Sequence, residues 1–593
     1  MKPYRYAVTL ALTSQIALMP LAHSADTCED LFKARSLVAA VEADKTLLID
    51  RIEQSLTPSL PEAILNGLHK KMRALNVLVK KIADPKEGIL VKRLMVQRAK
   101  YTVDSVYYIF ERDMTSYTLL NEYKEALKRG VSLRLAIDSA GSMNMQHNEL
   151  KALIEYARDN AGFKHDPKDY SKILSEKATI EIYMLNPVNP ASVAYQVVVN
   201  FFRRLHNEWS DKQVELYKDW QNRRFHNKTT IIDRDHSELI SAIYGGRNIG
   251  DDYYGVDDDT FHDNEDLIMN DPNLPAWRSA ERNSIGPVLN SYFESIIGHL
   301  GNRRLDIGRI GNLIGFKSQI DLMEKHAAAL DSRQDFAQKL QEMTDPNHDF
   351  MDPASFDTSK WRLLHTLQNV LRRNLMKNPD LVKNEANYEL ENFSDIMTHV
   401  RHRVRKAKKS IQIVSPYVYF EPEEVEYLKK MLRENPDLKI EVVTNSIMTS
   451  DNMMAQAYVD ELIGPEFAGT ERFTFYEYGR LDADKLGGQG HYGKLHQKSI
   501  VIDGEWAFEG TFNFDERSRY LNSENMGWTR SLAHGAKAVT QFETLKSQST
   551  RFGSEENIAI RMSPKLGKAK HFISEHQMGL YKLLEGLGMT WLI

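Results

Sequence analysis

The sequence predicts an α/β protein made of two similar halves, with helical segments added before and between them. Two observations carry that reading. Strand-like and helix-like stretches alternate in the same order twice along the chain. A short motif of identical spacing also recurs at corresponding places in the two runs. The length, 593 residues, allows two or more domains, each with its own core. Hydrophobic residues at 42% and charged residues at 27% are ordinary for a globular chain and exclude a disordered one.

Residues 1–24 read as an export signal. Lys2 and Arg5 precede the apolar run "YAVTLALTSQIALMPLA", and Ala22 and Ser24 stand at −3 and −1 of a cut before Ala25. The expected location is therefore outside the cytoplasm, periplasmic or secreted, with peripheral attachment to a membrane. The formal net charge of −5 becomes −7 once Lys2 and Arg5 leave. Such a charge argues against a protein that coats nucleic acid. Cys28 is the only cysteine, so no internal disulfide is available.

Residues 25–95 carry helical spacing, as in "AILNGLHKKMRALNVLVKKI". The first half is assigned to 96–299. Its strands are "YTVDSVYYIF" (101–110), "SLRLAID" (132–138) and "TIEIYML" (179–185), with a helix over 116–130 closed by Gly130 and another over 147–160. The second half, 396–555, repeats the order. It has strands at 410–420, 438–444 and 472–479, a helix beginning "EPEEVEYLKK", and a helix near 452–463. The alternation predicts a largely parallel sheet. Residues 300–395 read as a helical insertion with a polar loop, "MTDPNHDFMDPASFD", and 556–593 as an amphipathic tail ending "GLYKLLEGLGMTWLI".

The recurring motif is "HNKTTIID" in the first half and "HQKSIVID" in the second. It supplies His226, Lys228 and Asp233, then His496, Lys498 and Asp503. One match in a chain this long is roughly a one-in-ten accident. Two with matching sequels are not. Each copy is followed by a glycine-containing turn and an asparagine, Asn248 in "YGGRN" and Asn513 in "EGTFN". Each then reaches an acid, Asp266 in "DNEDLIM" and Glu524 in "LNSENMGW". His and Lys at i and i+2 of a strand share a face, so both are assigned to chemistry; the Asp has the opposite parity and is expected to hold the strand. Asp266 and Glu524 are expected to fix the histidine tautomers.

Two histidines, two lysines and two asparagines at one site suit a phosphodiester. One imidazole attacks phosphorus and forms a phosphohistidine, and the other protonates the leaving alcohol and then deprotonates the incoming one. The lysines and amides stabilise charge on the non-bridging oxygens, so no metal or other cofactor is expected. The acidic run "DDYYGVDDDTFHDNED" lacks an EF-hand spacing and reads as a solvated loop.

The duplicated motif resembles the phospholipase D superfamily. Within it, "RRFHNK", "GGRNIGDDYY", "SPYVYF", "TNSIMTSDN", "LHQKSIVIDGE" and "GTFNFDERSRYLNSE" resemble the bacterial cardiolipin synthase branch. The resemblance spans about 96–300 and 396–550. It implies a pseudo-twofold pair of α/β/α sandwiches with the site at their interface. It also implies a motif set of His226, Lys228, Asp233, His496, Lys498 and Asp503, with the covalent adduct on His226. Asn248, Asn513, Asp266 and Glu524 complete the expected site. The spacing departs in one place: Asp233 to Asn248 is 15 residues, Asp503 to Asn513 only 10. A longer hairpin turn in the first copy accounts for the difference.

The expected partner is a phospholipid such as phosphatidylglycerol or phosphatidylethanolamine at a membrane surface. Its phosphatidyl group would pass to an alcohol or to water. An exported endonuclease and a non-catalytic lipid-binding protein are the alternatives. The acidic net charge opposes the first, and two complete motifs oppose the second. The basic run "RHRVRKAKK" (401–409) could face anionic headgroups or simply solvent.

Overall fold

The computed structural model describes residues 74–145, 147–187, 223–257, 260–273, 284–298, 302–306, 317–371, 395–447, 470–479 and 493–562, with scattered positions between 449 and 467. All of these belong to one compact unit; a second, 1–59 with 194–208, lies outside the described residues. The expected signal segment, Cys28, most of the expected helix at 452–463 and most of the C-terminal tail also lie outside them.

One sheet of 16 strands runs through both halves. The first half contributes β1 (Leu75–Ile82), β2 (Thr102–Tyr107), β3 (Ser132–Asp138), β6 (Ile180–Leu185), β7 (Lys228–Ile232), β8 (Ser241–Gly245), β9 (Glu265–Asn270) and β10 (Arg303–Arg304), while β4 (Phe163–Asp166) and β5 (Asp169–Lys177) form a separate ribbon. The second half contributes β11 (Asp357–His365), β12 (Ser410–Val414), β13 (Lys439–Asn445), β14 (Phe473–Tyr478), β15 (Ser499–Ile502), β16 (Trp506–Gly510), β17 (Asn525–Arg530) and β18 (Ser549–Arg551). From the outer edge inward the first half reads β10-β6-β3-β2-β7-β8-β9-β1, and the second reads β18-β14-β13-β12-β15-β16-β17-β11. The two orders correspond strand for strand, which makes the halves a pseudo-twofold pair.

The join is antiparallel pairing of β1 with β11, from Leu75 opposite Trp361 to Val79 opposite Asp357. This corrects two expectations. Residues 75–82 fall in the segment read as helical and 357–365 in the expected helical insertion, yet both are central strands. The sequence "LNVLVKKI" fits a helix by spacing, but pairing on both edges, with β9 and β11, satisfies its backbone and buries Val77, Val79 and Ile82 completely. The insertion does hold helices at Lys317–Asp331 and Gln334–Met343. Trp361 on β11 is fully buried and donates its indole N–H to the Tyr244 hydroxyl at 2.9 Å, stitching the two halves together.

The sheet is also less parallel than the alternation suggested. Only β2-β3-β6 and β12-β13-β14 are parallel; β7, β8, β9 and β15, β16, β17 are antiparallel meanders. Helices appear where crossovers require them. The helix at Pro85–Arg98 starts on Asp84, whose carboxylate accepts from Lys86 and Glu87 N–H, with Pro85 at its first position. The helix at Met114–Lys128 is capped by Asp113 and closed by Gly130, whose φ of +93° only glycine adopts readily. The motif strands pair antiparallel with β2 and β12, so the C-terminal ends of those strands lie beside the motifs, Tyr107 opposite Lys228 and Val414 opposite Ser499.

Candidate active site

Each motif is fastened at its histidine to the opposite half. Phe225 forms a parallel bridge with Ser523, and His262 forms one with Leu495. His226 N–H donates to the Ser523 carbonyl at 2.9 Å, and Ser523 N–H to the Arg224 carbonyl at 2.8 Å. The counterpart is His262 N–H donating to Lys494 and His496 N–H to His262, both at 2.8 Å. The acid one residue past each bridge therefore lands beside a histidine from the other half. His226 Nδ1 is 2.8 Å from Glu524 Oε2, and His496 Nδ1 is 2.7 Å from Asp263 Oδ2. With Nδ1 engaged by a carboxylate, each ring keeps Nε2 for chemistry.

The lysines stand at the entry to the strands, Lys498 just before β15. Lys228 opens β7, and its ammonium donates back to the His226 carbonyl at 2.8 Å; Lys498 does the same to His496. Tyr108 lies edge-on to His226 with ring centroids 4.7 Å apart, and its ring is 5.4 Å from the Lys228 ammonium. Tyr253 and Phe261 stand around His496, at 5.3 and 6.0 Å between centroids.

The electrostatics cross between halves as the hydrogen bonds do. Burial, then the Lys228, Lys498 and Arg517 charges, holds His226 well below the ordinary histidine range. Burial pushes His496 down to about 4, with Lys498 adding to the push. Burial also brings Lys228 down to about 7 and raises Glu524 to about 7. Asp263 behaves differently. Burial works to raise it, but the His496 hydrogen bond and the Lys498, His496 and Arg247 charges prevail and keep it below the usual carboxylate range.

Of the residues expected at the site, His226, Lys228, His496, Lys498 and Glu524 are brought together. Asp266 is not. It lies on β9 in a buried cluster with Lys81, Glu509 and His534, and Asp263 holds the histidine instead. The reason is register. Gly245 pairs with Glu265 on β9 and Gly510 with Met526 on β17, so the residue equivalent to Glu524 is Asp263. The signal was in the sequence: an acid followed by asparagine, Asp263-Asn264 and Glu524-Asn525. It lay inside the acidic run read as a solvated loop, where Tyr254, Asp263 and Asn264 are in fact buried.

Asp233 and Asp503, counted with the motif, stand at the far end of their strands. At φ of +49° and +53° they turn the chain. Asp233 accepts from the N–H groups of Lys100, Tyr101 and Thr102, and Asp503 from those of Lys408, Lys409 and Ser410. They anchor the starts of β2 and β12 and have no hydrogen bond to His226 or His496. Asn248 is committed too, accepting from Ile109 N–H and donating to the Tyr253 hydroxyl. Asn513 keeps a buried Oδ1 with no hydrogen-bond partner among the described residues. The longer first hairpin runs from 233 to 240, against 503 to 505 in the second.

Sequence reading also passed over Thr511, whose hydroxyl donates to Glu524 at 2.5 Å, and Ser518, which donates to its other oxygen at 3.0 Å. In the first half Gly246 replaces Thr511, and a Cβ there would lie 2.1 Å from Asp263 Oδ1. In the basic run, Arg401 pairs with Glu421 and Glu424, and Arg403 stacks 3.5 Å over Trp506. Among the described residues, Asp266, Glu509 and His534 have the donor set for a metal, but the Lys81 ammonium already sits against both carboxylates. No helix among the described residues is long and apolar enough to cross a membrane.

A family model described as a cardiolipin synthase, PLD-like domain matches residues 400–546. The chain is 23% identical over 450 residues to cardiolipin synthase C of Escherichia coli (strain K12), covering 72% of this chain and 76% of the relative. It is 22% identical over 457 residues to an uncharacterized protein of Helicobacter pylori (strain ATCC 700392 / 26695), covering 75% and 74%. The crystal structure of phosphatidylserine synthase from Haemophilus influenzae Rd KW20 superposes with a TM-score of 0.52 at 10% identity, over 89% of this chain and 98% of that one. That likeness is one of fold.

Proposed function

Since the chain belongs to the phospholipase D superfamily, near the cardiolipin synthases, and is an enzyme of that superfamily, we propose that it moves a phosphatidyl group between phospholipids through a covalent phosphohistidine. The observation that carries this reading is the crossed pair of histidine–carboxylate contacts, His226 with Glu524 and His496 with Asp263.

The pairing supports different roles for the two rings. His226 is held neutral by burial and the nearby cations, with Nδ1 toward Glu524, so Nε2 carries the lone pair that attacks phosphorus. The bond from phosphorus to the leaving alcohol breaks as the bond to Nε2 forms. His496 faces an acid that stays ionised, and the anionic substrate would offset the Lys498 and Lys228 charges that depress its pKa. A protonated His496 then delivers its proton to the leaving oxygen. In the second step the neutral His496 takes the proton of the incoming alcohol, whose oxygen attacks phosphorus and displaces His226. Lys228 and Lys498 supply the charge that a phosphoryl transition state needs.

An alcohol acceptor carried by a second phospholipid gives a cardiolipin-like product, and water gives phosphatidic acid. Exchange of one phosphodiester for another requires no nucleotide, which suits work outside the cytoplasm. We place the protein there, at a membrane surface, on the strength of the N-terminal pattern; a mature N-terminus other than Ala25, or recovery with cytosol on fractionation, would overturn that placement. The function is tested by mass spectrometry of products from the purified protein with phosphatidylglycerol and phosphatidylethanolamine vesicles. Cardiolipin or phosphatidic acid, with labelled phosphohistidine trapped by rapid quenching, is expected. Absence of both products under conditions where the protein is folded would refute the reading.

A further inference from the structure

A cleft of about 270 Å³ opens at the C-terminal ends of β3 and β6, on the edge of the sheet that carries the first motif. Met145, Met184 and Leu305 give it buried apolar walls, and Met143, 62% exposed, stands at its mouth. Lys151 and Arg303 also line it, and neither side chain has a hydrogen-bond or ion-pair partner among the described residues. The cations are uncommitted although Asp306 lines the same cleft.

The cleft shares backbone with the wall of the site. Ser142, in its lining, donates to the Tyr108 carbonyl at 2.9 Å and accepts from Phe110 N–H at 2.9 Å. Gly141 packs so tightly that a Cβ would lie 2.2 Å from the same carbonyl. The ring of Tyr108 packs against His226. From the other side Ser139 donates to the Asn186 carbonyl at 2.8 Å, and the Asn186 amide donates to the Arg223 carbonyl at 2.5 Å, three residues before His226.

An ammonium and a guanidinium match a phosphodiester, the first as a point charge and the second as a fork. Thioether walls adapt to a flexible apolar chain, which free phosphate does not possess. We propose that this cleft holds the headgroup phosphate of a second, anionic glycerophospholipid, with the first acyl carbons against Met145, Met184 and Leu305, so that its alcohol is directed to the phosphorus carried by His226, where His496 takes its proton. The proposal rests on the phospholipid reading above and names the acceptor's seat.

The test is the double variant Lys151→Gln/Arg303→Gln in the full chain, its folding checked by thermal melting. A cation near an anionic lipid surface is worth about fivefold in affinity. The KM for phosphatidylglycerol as acceptor is expected to rise at least about fivefold, with kcat and the hydrolysis of a soluble short-chain phosphodiester unchanged. An unchanged KM overturns the proposal. Sedimentation with phosphatidylglycerol against phosphatidylcholine vesicles separates this outcome from failure of the functional reading. If the unaltered protein turns over no phospholipid, loss of selective binding in the variant still supports the cleft, and equal binding overturns it. Competition by inorganic phosphate that fully displaces the vesicles would mean a plain anion site, which also overturns it.

Discussion

His226 and Glu524 are 298 positions apart in the chain and 2.8 Å apart in space, each supplied by a different half. The converse pair, His496 with Asp263, spans 233 positions at 2.7 Å. Neither half can orient its own histidine, so a separated half would present a ring with a free tautomer and no fixed direction.

Removing either ring should remove the chemistry. His226→Ala and His496→Ala are each expected to lower kcat by about 10⁴-fold, because the attacking and the proton-transferring groups act as one unit. Only His226→Ala should also abolish the trapped phosphohistidine on that residue. An adduct of normal yield in His226→Ala would reverse the assignment.

The acids should show themselves in the pH profile. Burial lifts Glu524 to about 7, so below that pH it takes up a proton and ceases to hold His226 Nδ1–H as an anion. kcat/KM is expected to fall as pH drops through about 7, as a property of the pair. Glu524→Gln should be slower at all pH values by on the order of 10²–10⁴, with that limb flattened. Asp263→Asn should lower activity without moving the limb. Stopped assays across pH 5–9 with a soluble phosphodiester would check both.

Asp233 and Asp503 should matter to stability more than to turnover. Replacing either by Ala strands three backbone N–H groups at the start of a strand and leaves alanine at positive φ. The expected loss is about 2–4 kcal/mol for each, read by urea denaturation, with Asn recovering part of it because Asn tolerates that φ. A lost kcat at full stability would return these residues to the chemistry.

The buried cluster at the join should make stability depend on pH on the alkaline side. Burial works to lower His534, but Asp266 and Glu509 prevail and raise it to about 9. A raised histidine stabilises the fold fully below its unfolded value of about 6.5, and the stabilisation drains away as pH climbs through about 9. Resistance to urea should therefore decline between those values, and His534→Gln should remove that decline. Lys81→Met, which leaves the two buried carboxylates of Asp266 and Glu509 against the His534 charge, should cost about 3–5 kcal/mol.

Chelation should change nothing at the site. Lys228 and Lys498 supply positive charge beside both histidines, so dialysis against EDTA is expected to leave turnover intact. Loss of activity restored by a divalent ion would count against the lysine-based scheme.

The strand–helix alternation that opens each half, the two motifs and their shared spacing were legible from residues alone, since strand alternation and turn chemistry are local properties. Local pattern also placed His226 close to Lys228 and His496 close to Lys498, although both histidines, and Lys498 with them, precede β7 and β15 rather than lying within them. Three things were decided only by the tertiary structure. The segments 75–82 and 357–365 became central strands because pairing partners on both edges outweighed a helical spacing. Asp263 displaced Asp266 because the register of β8 on β9 determines which acid reaches across. And each histidine found its carboxylate in the other half, a contact between residues hundreds of positions apart that no local spacing encodes, since it exists only once two separately patterned sheets are joined along β1 and β11.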